Sequence, residues 1–287
     1  MCGSTTTRRP APTRVMSRLV LHLALAAYCL GSVGAFMWYL MTSLKTNTEF
    51  FSESPWALPA DPQWGNYLDA WNSGIGGFFF NSLYVTVLSV TIGLFISLMA
   101  SYALARIPFR GSQALLILFV VGMMLPAFGA LIPLYLLLRD IGLLGTLNGL
   151  VVVYIAVQIP LNVFLLRGFM VSMPRELEEA AYVDGASPFR TFVSVIIPQS
   201  MPMVVSLAVL NTLNIWNEFV LALVLLPRSE SYTVPIGLLG LAIQAEYSAQ
   251  WVQLFAGLIL TSIPMLVLFA IAQERIARGL TFGGMKG

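Results

Sequence analysis

The chain has 287 residues; 58% are hydrophobic, only 10% are charged, and the formal net charge is +2. A soluble domain carries about 25% charged residues, so this composition excludes an ordinary water-soluble enzyme and places the chain in a membrane. Two cysteines, Cys2 and Cys29, exclude a disulfide framework, and no nucleic-acid partner is expected of so weakly charged a chain.

Residues 1–18 are polar and carry Arg8, Arg9, Arg14 and Arg18, as expected of a cytoplasmic tail. The apolar run 19–44 is longer than a signal-peptide core and long enough to cross a bilayer of about 30 Å, so it reads as a retained first span. Within it, Tyr28 stands where a lipoprotein signal ending at Cys29 needs a small residue, and His22 is read as interfacial rather than as a ligand. Residues 45–77 read as a hydrophilic extracytoplasmic loop with Pro55, Pro59, Pro62, Trp56, Trp64, Tyr67 and Trp71. Its aromatic residues form either an interfacial belt or a docking surface for an extracytoplasmic partner.

A five-span core is expected over residues 78–273, with a second cytoplasmic tail at 274–287. Span 2 runs from about Phe79 to Ala105, and span 3 from about Ala114 to Leu138 with Pro126 and Pro133 inside. Span 4 covers about Leu147 to Leu166 with Pro160, span 5 about Met203 to Leu225, and span 6 about Trp251 to Ala272 with Pro264. Internal prolines leave carbonyls that neighbouring helices or a wet cavity must satisfy, which fits a transport bundle better than a simple anchor. With the N-terminus inside, only Lys45, Arg139 and Arg228 of the 15 Lys and Arg fall outside. This positive-inside bias predicts a multi-pass protein with both termini cytoplasmic.

One polar stretch interrupts the apolar pattern, the loop 171–199 between spans 4 and 5. Pro174 suits a first helical turn, and Glu176, Glu178 and Glu179 follow where the positive end of a helix dipole favours them. Gly185 ends that helix by taking a left-handed conformation, and Ser187 and Pro188 cap and start a second one. Ala180 and Ala181 give the first helix a small-residue face for close packing by another protein.

Span 5 carries Asn211, Asn214, Asn217 and Glu218. On one continuous helix Asn211, Asn214 and Glu218 share a face, with Asn217 at its edge. A carboxylate in a span costs about 3 kcal/mol, so it faces a cavity or a partner. Amides and carboxylates suit sugar hydroxyls; alternatively the stripe serves helix-to-helix hydrogen bonding. Gln158 and Asn162 of span 4 are weaker candidates of the same kind. A phosphate-binding loop needs a lysine after glycine, and Lys45 and Lys286, the only lysines, do not fit. No metal-ligand cluster or nucleophile–base pair is visible, so no catalytic, metal or cofactor site is expected, and ATP-driven work would need a separate subunit.

The loop resembles the EAA loop of ABC importer permeases, with Glu179, Ala180 and Ala181, then Gly185, then Val195, Ile197 and Pro198 at the family spacing; Val and Ile replace the usual Ile and Leu. The segment Asn214–Leu223 and the tail Gly279–Gly287 resemble carbohydrate permeases of the maltose type, with Met285 in place of Val. The likeness is closest to the shorter of the two permeases. It implies an all-α membrane protein with the type I ABC importer fold and six spans, span 1 added to the five-span core. It also implies that Glu179, Ala180, Ala181, Asp184, Gly185 and Pro198 couple to an ATPase, that Gly284 and Lys286 contact it, and that Asn211, Asn214, Asn217 and Glu218 line the substrate path. The implied partners are a second permease, an ATPase dimer binding ATP and Mg, an extracytoplasmic sugar-binding protein and the lipid of a bacterial inner membrane. The implied cargo is a di- or oligosaccharide; import of glycerol 3-phosphate or ion-driven secondary transport are the alternatives.

Overall fold

The computed structural model describes residues 12–124 and 127–284, with side chains for residues 19–124 and 129–273. Every regular element among the described residues is a helix, as hydrocarbon demands when backbone N–H and C=O groups must find their partners within the segment. Among the described residues, five helical stretches are long and apolar enough to cross a membrane: 19–43, 65–106, 147–172, 188–216 and 251–273.

Helix α1 spans Pro12–Ser43. The stretch that follows, expected as a hydrophilic loop, carries short helices. Helix α2 (Asn47–Ser52) starts in a capping box: the Glu49 amide donates to Thr46 Oγ1 at 3.1 Å and the Thr46 amide to Glu49 Oε2 at 2.7 Å. The Thr46 amide holds the Glu49 carboxyl below its usual range. Asn66 then stitches the segment down, its side-chain amide donating to the carbonyls of Ser43 and Lys45 at 2.8 and 2.9 Å. Helix α3 (Gly65–Ala70) and a π turn (Trp71–Ile75) run directly into α4 (Gly76–Arg106), so the second span begins well before Phe79. Gly74 absorbs the kink at φ +117°, a region open to glycine.

The expected third span is broken. Helix α5 (Ser112–Met124) ends near its middle, a 3₁₀ turn occupies Ala127–Ala130, and α6 covers Leu131–Asp140. Pro126 lies outside the described residues. Helix α7 (Leu147–Ser172) instead runs unbroken through Pro160. After helices α8 (Glu176–Val183) and α9 (Pro188–Thr191), a π turn at Phe192–Ile196 leads into α10 (Ile197–Trp216). The expected fifth span therefore starts earlier than Met203. It also stops at Trp216, and a short helix α11 (Val220–Leu225) resumes after a gap. Helix α12 (Val234–Ser248) was not expected as a separate element, and α13 (Trp251–Gly284) closes the described chain.

The centre of the bundle is the pairing of α4 with α7. Ser82, Thr86, Ser89, Ser97 and Ser101 are all buried along one side of α4, so the two backbones approach closely in the way membrane helices pack without a hydrophobic driving force. Ser89 and Ser101 donate across to the carbonyls of Val151 and Val163, and Gln158 returns a 2.6 Å bond to the Ser89 carbonyl. A Cβ at Gly93 would lie 2.5 Å from the Gln158 amide nitrogen, so glycine there admits the glutamine between the helices. One apolar cluster (Leu98, Tyr102, Leu166, Met170, Phe192 and Ile196 among its members) lies toward the α8 end of the bundle. Another (Val85, Leu150, Tyr154, Leu221 and Leu225 among them) lies toward the α3 end.

Candidate functional site

Two polar regions stand out, one at the α8 end of the bundle and one inside it. At the α8 end, Pro174 sits just ahead of the first hydrogen-bonded turn, which begins at Arg175, and the three glutamates occupy that turn. The helix stops in a Schellman motif. The Gly185 amide donates to the Tyr182 carbonyl at 3.0 Å and the Ala186 amide to the Ala181 carbonyl at 2.9 Å, with Gly185 at φ +78°. Nothing lies within 4 Å of a Cβ built on Gly185, so the demand for glycine comes from the backbone angle and not from crowding. Ser187 caps α9, its hydroxyl accepting from the Arg190 amide at 3.3 Å, and Pro188 takes the first helical position. Pro198 is the second residue of α10, just beyond the π turn at 192–196, where its missing N–H costs no intrahelical bond.

Glu179, Ala180, Asp184 and Gly185 are exposed and Ala181 is half-buried. Around them Val183 and Phe189 are 86% and 74% exposed. Exposed apolar side chains thus stand beside carboxylates at this end of the bundle. Gly284 is the last residue of α13, and Lys286 lies outside the described residues.

The second region is a cavity of about 200 Å³ lined by Tyr154, Gln158, Asn211, Asn214 and Glu218 with apolar neighbours from α7, α10 and α11. The break of α10 lies at its edge. Across Asn217–Phe219 the chain leaves the helix, and Glu218 becomes the cap of the next one: Leu221 and Ala222 amides donate to its two oxygens at 2.8 and 3.0 Å. Tyr154 adds its hydroxyl to Glu218 Oε2 at 2.5 Å. Non-helical backbone between apolar helices is tolerated where its polar groups are satisfied or meet a cavity, and at this break Glu218 does both.

The expected stripe is thus only partly one helical face. Asn214 is exposed into the cavity and has no hydrogen bond among the described residues, whereas Asn211 is buried and donates to Asn162 Oδ1 at 3.0 Å across to α7. Asn217 is not in the lining; its amide turns back to the Leu213 carbonyl at 2.8 Å. Sequence reasoning missed Tyr154, although it lies four residues before Gln158 and therefore on the same helical face. It also missed the pairing of Glu178 with Arg106, two residues far apart in the chain and without a local signal.

Residues 89–282 match the family of binding-protein-dependent transport system inner membrane components. The probable ABC transporter permease protein YurM of Bacillus subtilis is 36% identical over 275 residues, covering 96% of this chain and 89% of its own length. The diacetylchitobiose uptake system permease protein NgcG of Streptomyces coelicolor is 32% identical, covering 92% of this chain and 87% of its own. A solved bacterial ABC transporter involved in alginate import has the same fold, with a TM-score of 0.79 over 93% of this chain and 99% of that one, at 21% identity. The chain belongs to the binding-protein-dependent transport system inner membrane component family and is a multi-pass ABC transporter permease.

Proposed function

We propose that this chain is one of two permease subunits of an ATP-driven importer that moves a di- or oligosaccharide across the bacterial inner membrane. A binding protein outside delivers the sugar, and a dimer of separate ATPase subunits, binding ATP and Mg, powers the cycle. The observation that carries this reading is the α8–α9 turn: a glycine-locked helix pair that presents carboxylates and the exposed Val183 and Phe189 beyond the apolar bundle. In this reading Glu179, Ala180, Ala181, Asp184, Gly185 and Pro198 form or support the surface docked on the ATPase. The α8 end and both termini are then cytoplasmic, and Gly284 and Lys286 reach the same partner.

The cavity supports a neutral cargo. Asn214 and Gln158 offer amide groups, and no Lys or Arg is in the lining, so a phosphate ester would lack a counter-charge. Glu218 is taken up by three donors, which argues against its service as the proton carrier of a secondary transporter. Relatives point the same way, since NgcG is named for diacetylchitobiose uptake. The test is uptake by the reconstituted complex of this chain with its second permease, ATPase and binding protein. Radiolabelled di- and oligosaccharides should accumulate in proteoliposomes only with ATP inside and binding protein outside. Accumulation driven by a proton or sodium gradient without ATP would overturn the reading.

A further inference from the structure

Helix α8 is fastened to the bundle in an unusual way. Its one buried residue is a carboxylate, Glu178. Arg106, the last residue of α4, places Nε 2.5 Å from Glu178 Oε1, and the two side chains are only 7% and 9% exposed. The contact is an ion pair and not an aligned hydrogen bond, because neither atom meets hydrogen-bond geometry. The same guanidinium donates through Nη2 to the Met173 carbonyl at 3.1 Å, gripping the link that joins α7 to α8. Around the pair the surfaces do not meet flush. A cavity of about 380 Å³ opens between the end of α4 and α8, lined by Tyr102, Arg106, Arg175, Glu179 and Tyr182 among others. Two contacts cross that gap, the charge pair and a side-chain hydrogen bond between Tyr102 of α4 and Tyr182 of α8, and the charge pair is the buried one.

Arg106 also lies on the helix that reaches the inner cavity. The Ser89 carbonyl, 17 residues earlier on α4, accepts the Gln158 amide, and Gln158 lines the cavity. At 1.5 Å per residue this is roughly 25 Å of continuous helix. We propose that Arg106 is a positioning residue that locks α8 to α4, so that displacement of the loop is delivered to the cavity wall as motion of one rigid body. This rests on the reading of α8 as the ATPase-docking helix. A buried charge deprived of its partner is strongly unfavourable, so removing either member loosens α8, and exchanging the two restores the pair.

The experiment uses the complete complex with this chain unmodified or carrying Arg106→Ala, Glu178→Gln, Arg106→Glu, Glu178→Arg, or the last two together. Backbone hydrogen exchange over residues 174–186 should accelerate roughly tenfold in each single variant, with exchange of α7 unchanged, and return to the unmodified rate in the double exchange. Stimulation of ATP hydrolysis by the binding protein should fall and recover in parallel, while unstimulated hydrolysis stays at the unmodified level. Arg106→Ala with unmodified exchange and stimulation, or a double exchange as defective as the single ones, would overturn the proposal. Should Arg106→Ala fail to assemble, the near-isosteric Glu178→Gln carries the same comparison. If the unmodified complex shows no stimulation by its binding protein, the importer reading fails, while the exchange rates still decide whether the pair fastens α8.

Discussion

The loop at the α8 end and the cavity inside the bundle are both built from carboxylates and short helices, but they are held together differently. In the loop, the turn itself comes from bonds between near neighbours: the Schellman pair at Gly185 and Ala186 and the Ser187 cap close within six residues, and the distant Arg106 serves only to fasten the finished helix to the bundle. In the cavity, structure comes from side chains distant in sequence, with Tyr154 reaching Glu218 and Asn211 reaching Asn162. A local motif survives in any surroundings that leave it solvated. A non-local polar contact exists only when two spans have packed, and its loss is felt by the bundle. The two regions should therefore respond oppositely to mutation, the cavity in stability and the loop in coupling.

The largest effect is expected at Glu218→Ala. It removes the cap of α11 and leaves the Tyr154 hydroxyl without its acceptor, and the loss of a charged hydrogen-bond partner together with a helix cap should cost about 3 kcal/mol. Thermal unfolding of the complex in detergent should show it, and Glu218→Gln should retain part of the stability. Next is Gly93→Ala, whose new methyl group displaces Gln158 from the Ser89 carbonyl; overpacking of this kind costs about 1–3 kcal/mol. Both variants should weaken the bundle while leaving the α8–α9 turn intact, as judged by labelling of a cysteine at Val183.

Gly185→Val should do the reverse. A β-branched residue held at φ +78° costs about 1–2 kcal/mol locally, so the bundle stays folded while the angle between α8 and α9 changes. ATP-driven uptake should fall sharply with only a small change in unfolding temperature. The smallest stability effect is expected at Asn214→Ala, within about 0.5 kcal/mol, because its side chain meets only the cavity. Its signature is slower sugar passage in an otherwise normal complex. A large loss of stability there would show that Asn214 supports the bundle and not the path.

The same contrast explains what the sequence disclosed. The α8–α9 turn was legible because Pro, Gly and Ser act on their own backbone within a few positions. The apolar spans were legible from length and composition. The fold class followed, and the family match agrees with it. The break of α10 at Asn217–Phe219 was not legible, because Asn217, Glu218 and Phe219 carry neither Gly nor Pro and the break is stabilised by Tyr154 from another helix. Pro160 lies inside one continuous helix, as the length and composition of the fourth span implied: α7 passes through it unbroken. The folding of residues 45–77 depended on Asn66 reaching back to Ser43, over twenty positions away, which no local pattern reports.

Docking of the α8–α9 turn on the ATP-hydrolysing partner, as proposed, can be read directly. Its most direct measurement is a crosslink in native membranes. With Cys2 and Cys29 replaced by serine, a cysteine at Val183, 86% exposed in this chain, is treated with a short bifunctional reagent. A single adduct containing the ATPase subunit should form, its yield changing when ATP is added, with no adduct from a cysteine at Ser54. Labelling of the Val183 cysteine by an impermeant reagent from outside the cell, or an ATPase adduct from Ser54 in its place, would contradict it.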